Sequence, residues 1–119
     1  LVCLVPLTPD TRDILNYANL SQLRPHGYVI NVARGAHLVD EDLLLLLDKG
    51  HLAGATLDVF RTEPLLDSHP FWRRPRITIT PHISALTLRS ESVAQIARKI
   101  AALERGESVA GVVERGRGY

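Results

Sequence analysis

Residues 28–40 read YVINVARGAHLVD. Tyr28 to Val32 form a short apolar run broken only by Asn31, and a cation, Arg34, follows with Gly35 behind it. Short continuous apolar runs suit strands buried on both faces of a parallel sheet. Asp40 is then placed to cap a helix, with Glu41 and Asp42 in its first turn, where the helix dipole favours anions. That helix carries Leu43 to Leu47, apolar all round and so expected to be well buried. Lys49 lies near its end, and Gly50 closes it. The order of strand, arginine and capped helix puts Arg34 at the carboxyl end of a buried strand.

Reading outward, Leu1 to Val5 is a second apolar run, closed by Pro6. Thr8-Pro9-Asp10-Thr11 has turn and cap chemistry. Asn19 to Leu23 reads as a helical turn ended by Pro25-His26-Gly27. A further strand is expected over Ala53 to Val59 and another over Ile77 to Thr80, stopped by Pro81. Between them, Arg61 to Arg76 contains Pro64, Pro70 and Pro75 and reads as a loop, with Trp72 beside Phe71 packing it onto the domain. The last helix is expected from Leu88 to Arg105. Its Val93, Ile96, Ala97, Ile100 and Leu103 recur at three- and four-residue steps, and Gly106 closes it. Glu107 to Tyr119 reads as a tail.

Apolar strands alternating with helices and loops give an α/β fold, a doubly wound parallel sheet flanked by helices. Ligands of such sheets bind beyond the carboxyl ends of the strands. Arg34, Asp58 and the segment after Thr80 therefore fall along one rim.

The 119 residues suffice for one domain, and 45% hydrophobic content is ordinary for a globular core. A net charge of +1 gives no global pull toward nucleic acid or an anionic membrane. No apolar run approaches the ~18 residues of a membrane span, and no signal-peptide pattern opens the chain. The single cysteine, Cys3, lies in an apolar run and reads as a buried thiol, so a reducing cytoplasm is the expected compartment. The chain has no methionine and opens inside an apolar run, which reads as the carboxyl-terminal piece of something longer.

Three polar residues near the rim make a chemical set: Arg34, Glu63 and His82. An arginine fork matches a carboxylate with two parallel hydrogen bonds. A histidine gives or takes a proton near neutral pH. A carboxylate beside it fixes the ring tautomer and favours the protonated ring. Together they suit an anionic substrate whose neighbouring carbonyl gains a proton. Plainer readings stand beside this on pattern alone: Arg34 as a surface residue after a strand, Glu63 as solvated loop charge, His82 as a cap. The five histidines are scattered without ligand spacing, so no metal site is expected. There is no Gly-x-Ser-x-Gly, Walker-type loop or Gly-x-Gly-x-x-Gly. The Arg73-Arg74-Pro75-Arg76 knot reads as solvated loop, not as a nucleic-acid patch.

Several motifs in register carry a resemblance that covers nearly the whole chain. VINVARGAHLVDEDLL (29–44), GATLDVFRTEPL (54–65) and ITITPHIS (77–84), with VPLTPDTRDILN (5–16), resemble the carboxyl-terminal part of the NAD(P)-binding domain of D-isomer-specific 2-hydroxyacid dehydrogenases. PFWRRPRITITPHISALT (70–87) and ERGESVAGVVERGRGY (104–119) look most like the bacterial glyoxylate/hydroxypyruvate reductase A branch of that family. The resemblance implies a partial Rossmann-like fold. It assigns residues 1–106 to the NAD(P)-binding domain and 107–119 to a tail that returns to the substrate domain.

It also implies catalytic roles. Arg34 would clamp the substrate carboxylate, His82 would deliver a proton to the carbonyl oxygen, and Glu63 would hold His82 charged and oriented. Cofactor contacts implied in the same way are Pro6, Leu7, Thr11, Val32, Ala33, Arg34, Asp58, His82 and Ser84. The cofactor is NADP or NAD, with NADPH favoured by the branch, and the glycine-rich loop and its selector residue would lie upstream of Leu1. The substrate would be a small 2-oxo or 2-hydroxy acid, and the full-length enzyme a homodimer without nucleic-acid or membrane partners. A relative acting on a different 2-oxo acid, or a non-catalytic regulatory relative, is the alternative. Formate dehydrogenase-like relatives carry glutamine where Glu63 stands, which argues against that branch.

Overall fold

A computed structural model describes residues 1–116, and the last three residues of the expected tail lie outside the described residues. The chain divides into two compact units, 1–84 and 85–119. The first unit is built on four parallel strands lying side by side in chain order: β1 (Val2–Cys3), β2 (Gly27–Asn31), β3 (Leu52–Leu57) and β4 (Ile77–Ile79). Helix α1 (Tyr17–Leu20) falls between β1 and β2, and α2 (Asp40–Asp48) between β2 and β3. This is the α/β class the sequence implies.

The apolar runs form strands because their side chains have a core to enter. Val29, Leu52, Ala55 and Leu57 are fully buried and pack with Leu20, Leu38, Leu43, Leu46, Leu47 and Phe71. At about 25 cal/mol per Å², burying one such leucine stabilises the fold by roughly 1.5–3 kcal/mol. Cys3 belongs to the same core, and burial pushes its thiol up.

Several local expectations are corrected. β1 is only two residues long: Leu4 and Val5 have left the sheet and are exposed, so the apolar run outlasts the strand. Val39, extended at φ −94°, is the residue before the first helical turn of α2, and Asp40 stands inside that turn. The Asp40 carboxylate faces His69 instead, at 3.4 Å. Leu45 is exposed, so α2 is amphipathic where an all-round buried helix was expected. Asn16 caps α1 by accepting the Asn19 N–H at 3.1 Å, which starts that helix earlier than its sequence pattern indicates. In the 61–76 connection Phe71 is buried while Trp72 is half-exposed, its indole N–H donating to the Leu66 carbonyl. The basic knot has structural partners: Arg74 pairs with Asp48, and Arg76 donates to the Leu47 carbonyl at the end of α2.

The second unit contains helix α3 (Arg89–Glu104), and Gly106 follows it at φ +72°, a left-handed position that glycine takes without strain.

Candidate active site

Each strand of the parallel sheet delivers a polar connection to the same rim. After β2 comes Ala33-Arg34-Gly35. Arg34 has an extended backbone, and its guanidinium donates back to the Ala33 carbonyl at 2.6 Å. Asn31, fully buried at the end of β2, holds this turn: its carbonyl side chain accepts the Ala33 N–H, and its amide donates to the Arg34 carbonyl. The asparagine that interrupts the apolar run is therefore the hinge pin of the arginine turn.

Gly35 brings that turn against the connection leaving β3. A Cβ at Gly35 would lie 1.9 Å from the carbonyl carbon of Phe60 and 2.4 Å from the Arg61 nitrogen, so only glycine fits. Arg61 fastens the same place by donating through Nε to the Leu38 carbonyl at 2.8 Å and by pairing with Asp13. Two residues further on stands Glu63. One of its oxygens accepts the Phe60 N–H at 2.9 Å, and the other lies 2.9 Å from Nδ1 of His82. The hydrogen bond with His82 foremost, then that from Phe60, outweigh desolvation and hold the Glu63 carboxyl below its ordinary value, with a smaller contribution from the charge of Arg34. An ionised carboxylate can only accept, so Nδ1 of His82 carries the proton in this contact and Nε2 is left for other chemistry.

His82 has a left-handed backbone, φ +54°, unusual for a residue with a side chain. Asp58 over-determines it. This carboxylate, fully buried at the end of β3, accepts from the Thr80 hydroxyl and from the backbone N–H groups of Ile83 and Ser84, both at 2.9 Å. Burial pushes Asp58 up, but the hydrogen bonds from Ser84, Thr80 and Ile83 win and hold it far below the usual carboxylate range. The histidine is thus fastened on both flanks by one buried charge.

The connection after β1 reaches the same rim. The Thr11 hydroxyl donates to the Pro6 carbonyl at 2.7 Å and also bonds within the Thr8–Thr11 turn. Leu7 is half-buried beside it. Beside Glu63 and His82 opens a cleft of about 570 Å³, lined by Phe60, Leu65, Trp72 and Ile79. Among the described residues no three histidine, cysteine or carboxylate side chains gather as a metal site.

Residues 1–84 match the family described as D-isomer specific 2-hydroxyacid dehydrogenase, NAD binding domain. The chain belongs to this family. It is 57% identical over all 119 residues to a glyoxylate/hydroxypyruvate reductase A of Serratia proteamaculans, and 52% identical to one of Photorhabdus laumondii; in both cases it spans 38% of the relative's length. A 2-hydroxyacid dehydrogenase of Xanthobacter autotrophicus, solved with NADPH and MES, superposes with a TM-score of 0.93 at 39% identity over 99% of this chain and 49% of that one. An NADPH-dependent glyoxylate/hydroxypyruvate reductase of Sinorhizobium meliloti, solved with NADP and sulfate, gives 0.89 at 39% identity, over 99% of this chain and 39% of its own. The four-stranded parallel sheet is accordingly part of a Rossmann-type dehydrogenase domain.

In this dehydrogenase domain the structure brings Glu63 and His82 into direct contact. Arg34 is near enough for its charge to act on Glu63. Asp58 and Ser84, both expected as cofactor contacts, are bonded to each other, Ser84 N–H to the Asp58 carboxylate. Val32 and Ala33 form the exit of β2, Ala33 buried and Val32 half-buried. Among the described residues no helix is long and apolar enough to cross a membrane. No local pattern singles out Thr80 or His37, although both carry part of the scaffold: Asp58, the partner of Thr80, and Pro6, a partner of His37, are distant in the chain, and only the fold reveals them.

Proposed function

We propose that this chain supplies the proton-transfer and substrate-anchoring part of a reductase that converts glyoxylate or hydroxypyruvate into the corresponding D-2-hydroxy acid. The observation that carries the reading is the 2.9 Å pairing of Glu63 with His82 at the carboxyl rim of a parallel sheet, with Arg34 beside it. Arg34 holds the substrate carboxylate through its fork and draws electron density from the neighbouring carbonyl. His82, tied through Nδ1 to Glu63, donates its Nε2 proton to the carbonyl oxygen. Glu63 keeps the ring oriented and balances its charge.

The bound nicotinamide cofactor supplies the hydride. The residues present suit its reactive end: Pro6, Leu7 and Thr11 after the first strand, Val32, Ala33 and Arg34 after the second, Asp58 after the third, and His82 and Ser84 after the fourth. NADPH is favoured because two structural neighbours were solved with NADPH or NADP. The same reading assigns residues 1–106 to the NAD(P)-binding domain and 107–119 to an arm returning to a substrate domain, in a cytoplasmic homodimer. Sedimentation of the complete reductase tests the dimer.

The deciding experiment is substrate profiling of the complete reductase with NADPH and with NADH. Turnover of glyoxylate and hydroxypyruvate, faster with NADPH, is expected. A second reading, favoured by the apolar cleft at Phe60, Leu65, Trp72 and Ile79, is a related dehydrogenase for a 2-oxo acid with a bulky apolar side chain. Strong turnover of such an acid with indifference to glyoxylate would select it, and absence of turnover with any 2-oxo acid would select a non-catalytic relative.

A further inference from the structure

Of the chain's five histidines, only His37 is completely buried. It lies in the short 3-10 turn Gly35–His37, directly behind the arginine turn. Its Nδ1 stands 3.2 Å from the Arg34 backbone nitrogen, and its Nε2 stands 3.3 Å from the Pro6 carbonyl oxygen, thirty-one residues away. One tautomer satisfies both contacts: a bare Nδ1 accepts the Arg34 N–H while Nε2–H donates to Pro6. Nδ1 also lies 3.0 Å from the Arg34 carbonyl. The opposite tautomer would use that contact, but it would turn a ring N–H against the Arg34 N–H and leave a bare nitrogen facing the Pro6 oxygen. The Arg34 carbonyl is already served by the Asn31 amide and the His37 N–H. The first tautomer therefore wins.

We propose that His37 is a positioning residue that joins the two halves of the site, holding the Arg34 backbone with one ring nitrogen and the Pro6 loop with the other. The inference rests on the proposed roles of Arg34 as substrate anchor and of the Pro6–Thr11 loop as a cofactor contact. Neighbouring backbone bonds already set these two connections side by side: Asp13 N–H to the Ala36 carbonyl, Leu15 N–H to the His37 carbonyl, and Val39 N–H to the Leu15 carbonyl. The imidazole extends that join to the rim, where ligands bind. A buried ring with both nitrogens engaged has one orientation available, so it fixes the spacing between anchor and cofactor loop.

The two contacts can be cut separately. In His37→Asn the side-chain oxygen falls near the place of Nδ1 and still accepts from Arg34, but it cannot reach Pro6. In His37→Gln the longer amide falls near the place of Nε2 and still donates to Pro6, but it releases Arg34. The experiment uses the complete reductase and reads the NADPH dissociation constant by fluorescence titration, together with KM for glyoxylate. Loss of one hydrogen bond corresponds to about a tenfold weakening. His37→Asn should therefore weaken NADPH about tenfold and leave the glyoxylate KM within about twofold, and His37→Gln should do the reverse. A residue that merely filled the core would move both constants together in both variants, and that result overturns the inference, as does an unfolded protein in both cases. If the wild type binds NADPH but reduces no 2-oxo acid, the proposed function fails. The histidine tie then stands on NADPH affinity alone, weakened in His37→Asn and spared in His37→Gln, and equal affinities in the two would sink it.

Discussion

Gly35 and Phe60 meet backbone to backbone, so closely that a Cβ on the glycine would fall 2.2 Å from the Phe60 carbonyl oxygen. Through this contact the arginine turn and the glutamate connection share one rigid wall. A methyl group at Gly35 must push main chain aside, since no flexible side chain is there to yield. Gly35→Ala is expected to cost about 3 kcal/mol of stability, read as a lowered urea midpoint of the complete protein. Gly116→Ala, where no described residue lies within 4 Å, should leave the midpoint unchanged. Equal midpoints for the two variants would show that the wall is soft.

Asp58 predicts a dependence of stability on acidity. Its carboxyl is held far below the ordinary carboxylate range by Ser84, Thr80 and Ile83 against the opposing effect of burial. A depressed carboxyl stabilises the fold above its unfolded value of ~4, and this contribution is lost as pH falls through the folded value. Wild-type melting temperature should therefore fall as pH is lowered below about 4. Asp58→Asn turns an amide toward donors that need an acceptor and should cost about 3 kcal/mol at pH 7. Its acid decline should be shallower. Parallel melting curves for both proteins across that range would contradict the clamp.

Glu63 can be tested through its charge. The carboxylate is kept ionised by the hydrogen bond with His82 first and the Phe60 N–H second. In the proposed reduction the carbonyl oxygen takes its proton from His82, so activity is expected to fade as pH rises. Glu63→Gln keeps the size of the side chain but removes its negative charge, so the ring gives up its proton more readily. It also leaves one acceptor oxygen where the carboxylate offered one each to Phe60 N–H and His82 Nδ1–H. The alkaline limb of kcat/KM for reduction is expected to move to lower pH by about one unit. The acid limb of the oxidation direction should move the same way. An alkaline limb that stays in place, with activity retained, would assign the proton to another donor.

Arg34→Lys should harm turnover more than its conserved charge implies. An ammonium is a point charge and does not reproduce two parallel bonds to a carboxylate. Losing one charge-assisted bond of ~1.5–3 kcal/mol slows kcat/KM by roughly ten- to a hundredfold. A near-normal kcat/KM in this variant would remove the clamp from the mechanism.

The parallel sheet was legible because its strands are continuous apolar runs, and the buried Val29, Leu52 and Leu57 are the physical reason those runs exist. Strand length was less legible. Leu4 and Val5 are as apolar as their neighbours, but the pairing of β1 with β2 ends at Cys3 and Asn31. Asp40 has the right side chain for a helix cap, and its pairing with His69, nearly thirty residues away, was hidden from any local pattern. Of the candidate site, Arg34, Glu63 and His82 could be named from motif and chemistry. Their fastenings could not, because the Asp58 carboxylate, the Gly35–Phe60 contact and the His37 ring all act between connections that only the folded sheet makes adjacent.

The fastenings of Arg34, Glu63 and His82 have one more property in common. From Asn31, which pins the arginine turn, to Ser84, which closes over Asp58, these three candidate catalytic residues are secured largely from within one uninterrupted stretch of polypeptide. Such a stretch can be inherited as a cassette. Recombination that exchanges it whole carries the set of contacts across intact, while a crossover between Gly35 and Phe60 or between Asp58 and Ser84 parts groups that were fitted to each other. In chimeras of related reductases, breakpoints outside 31–84 should be tolerated far more often than breakpoints inside it.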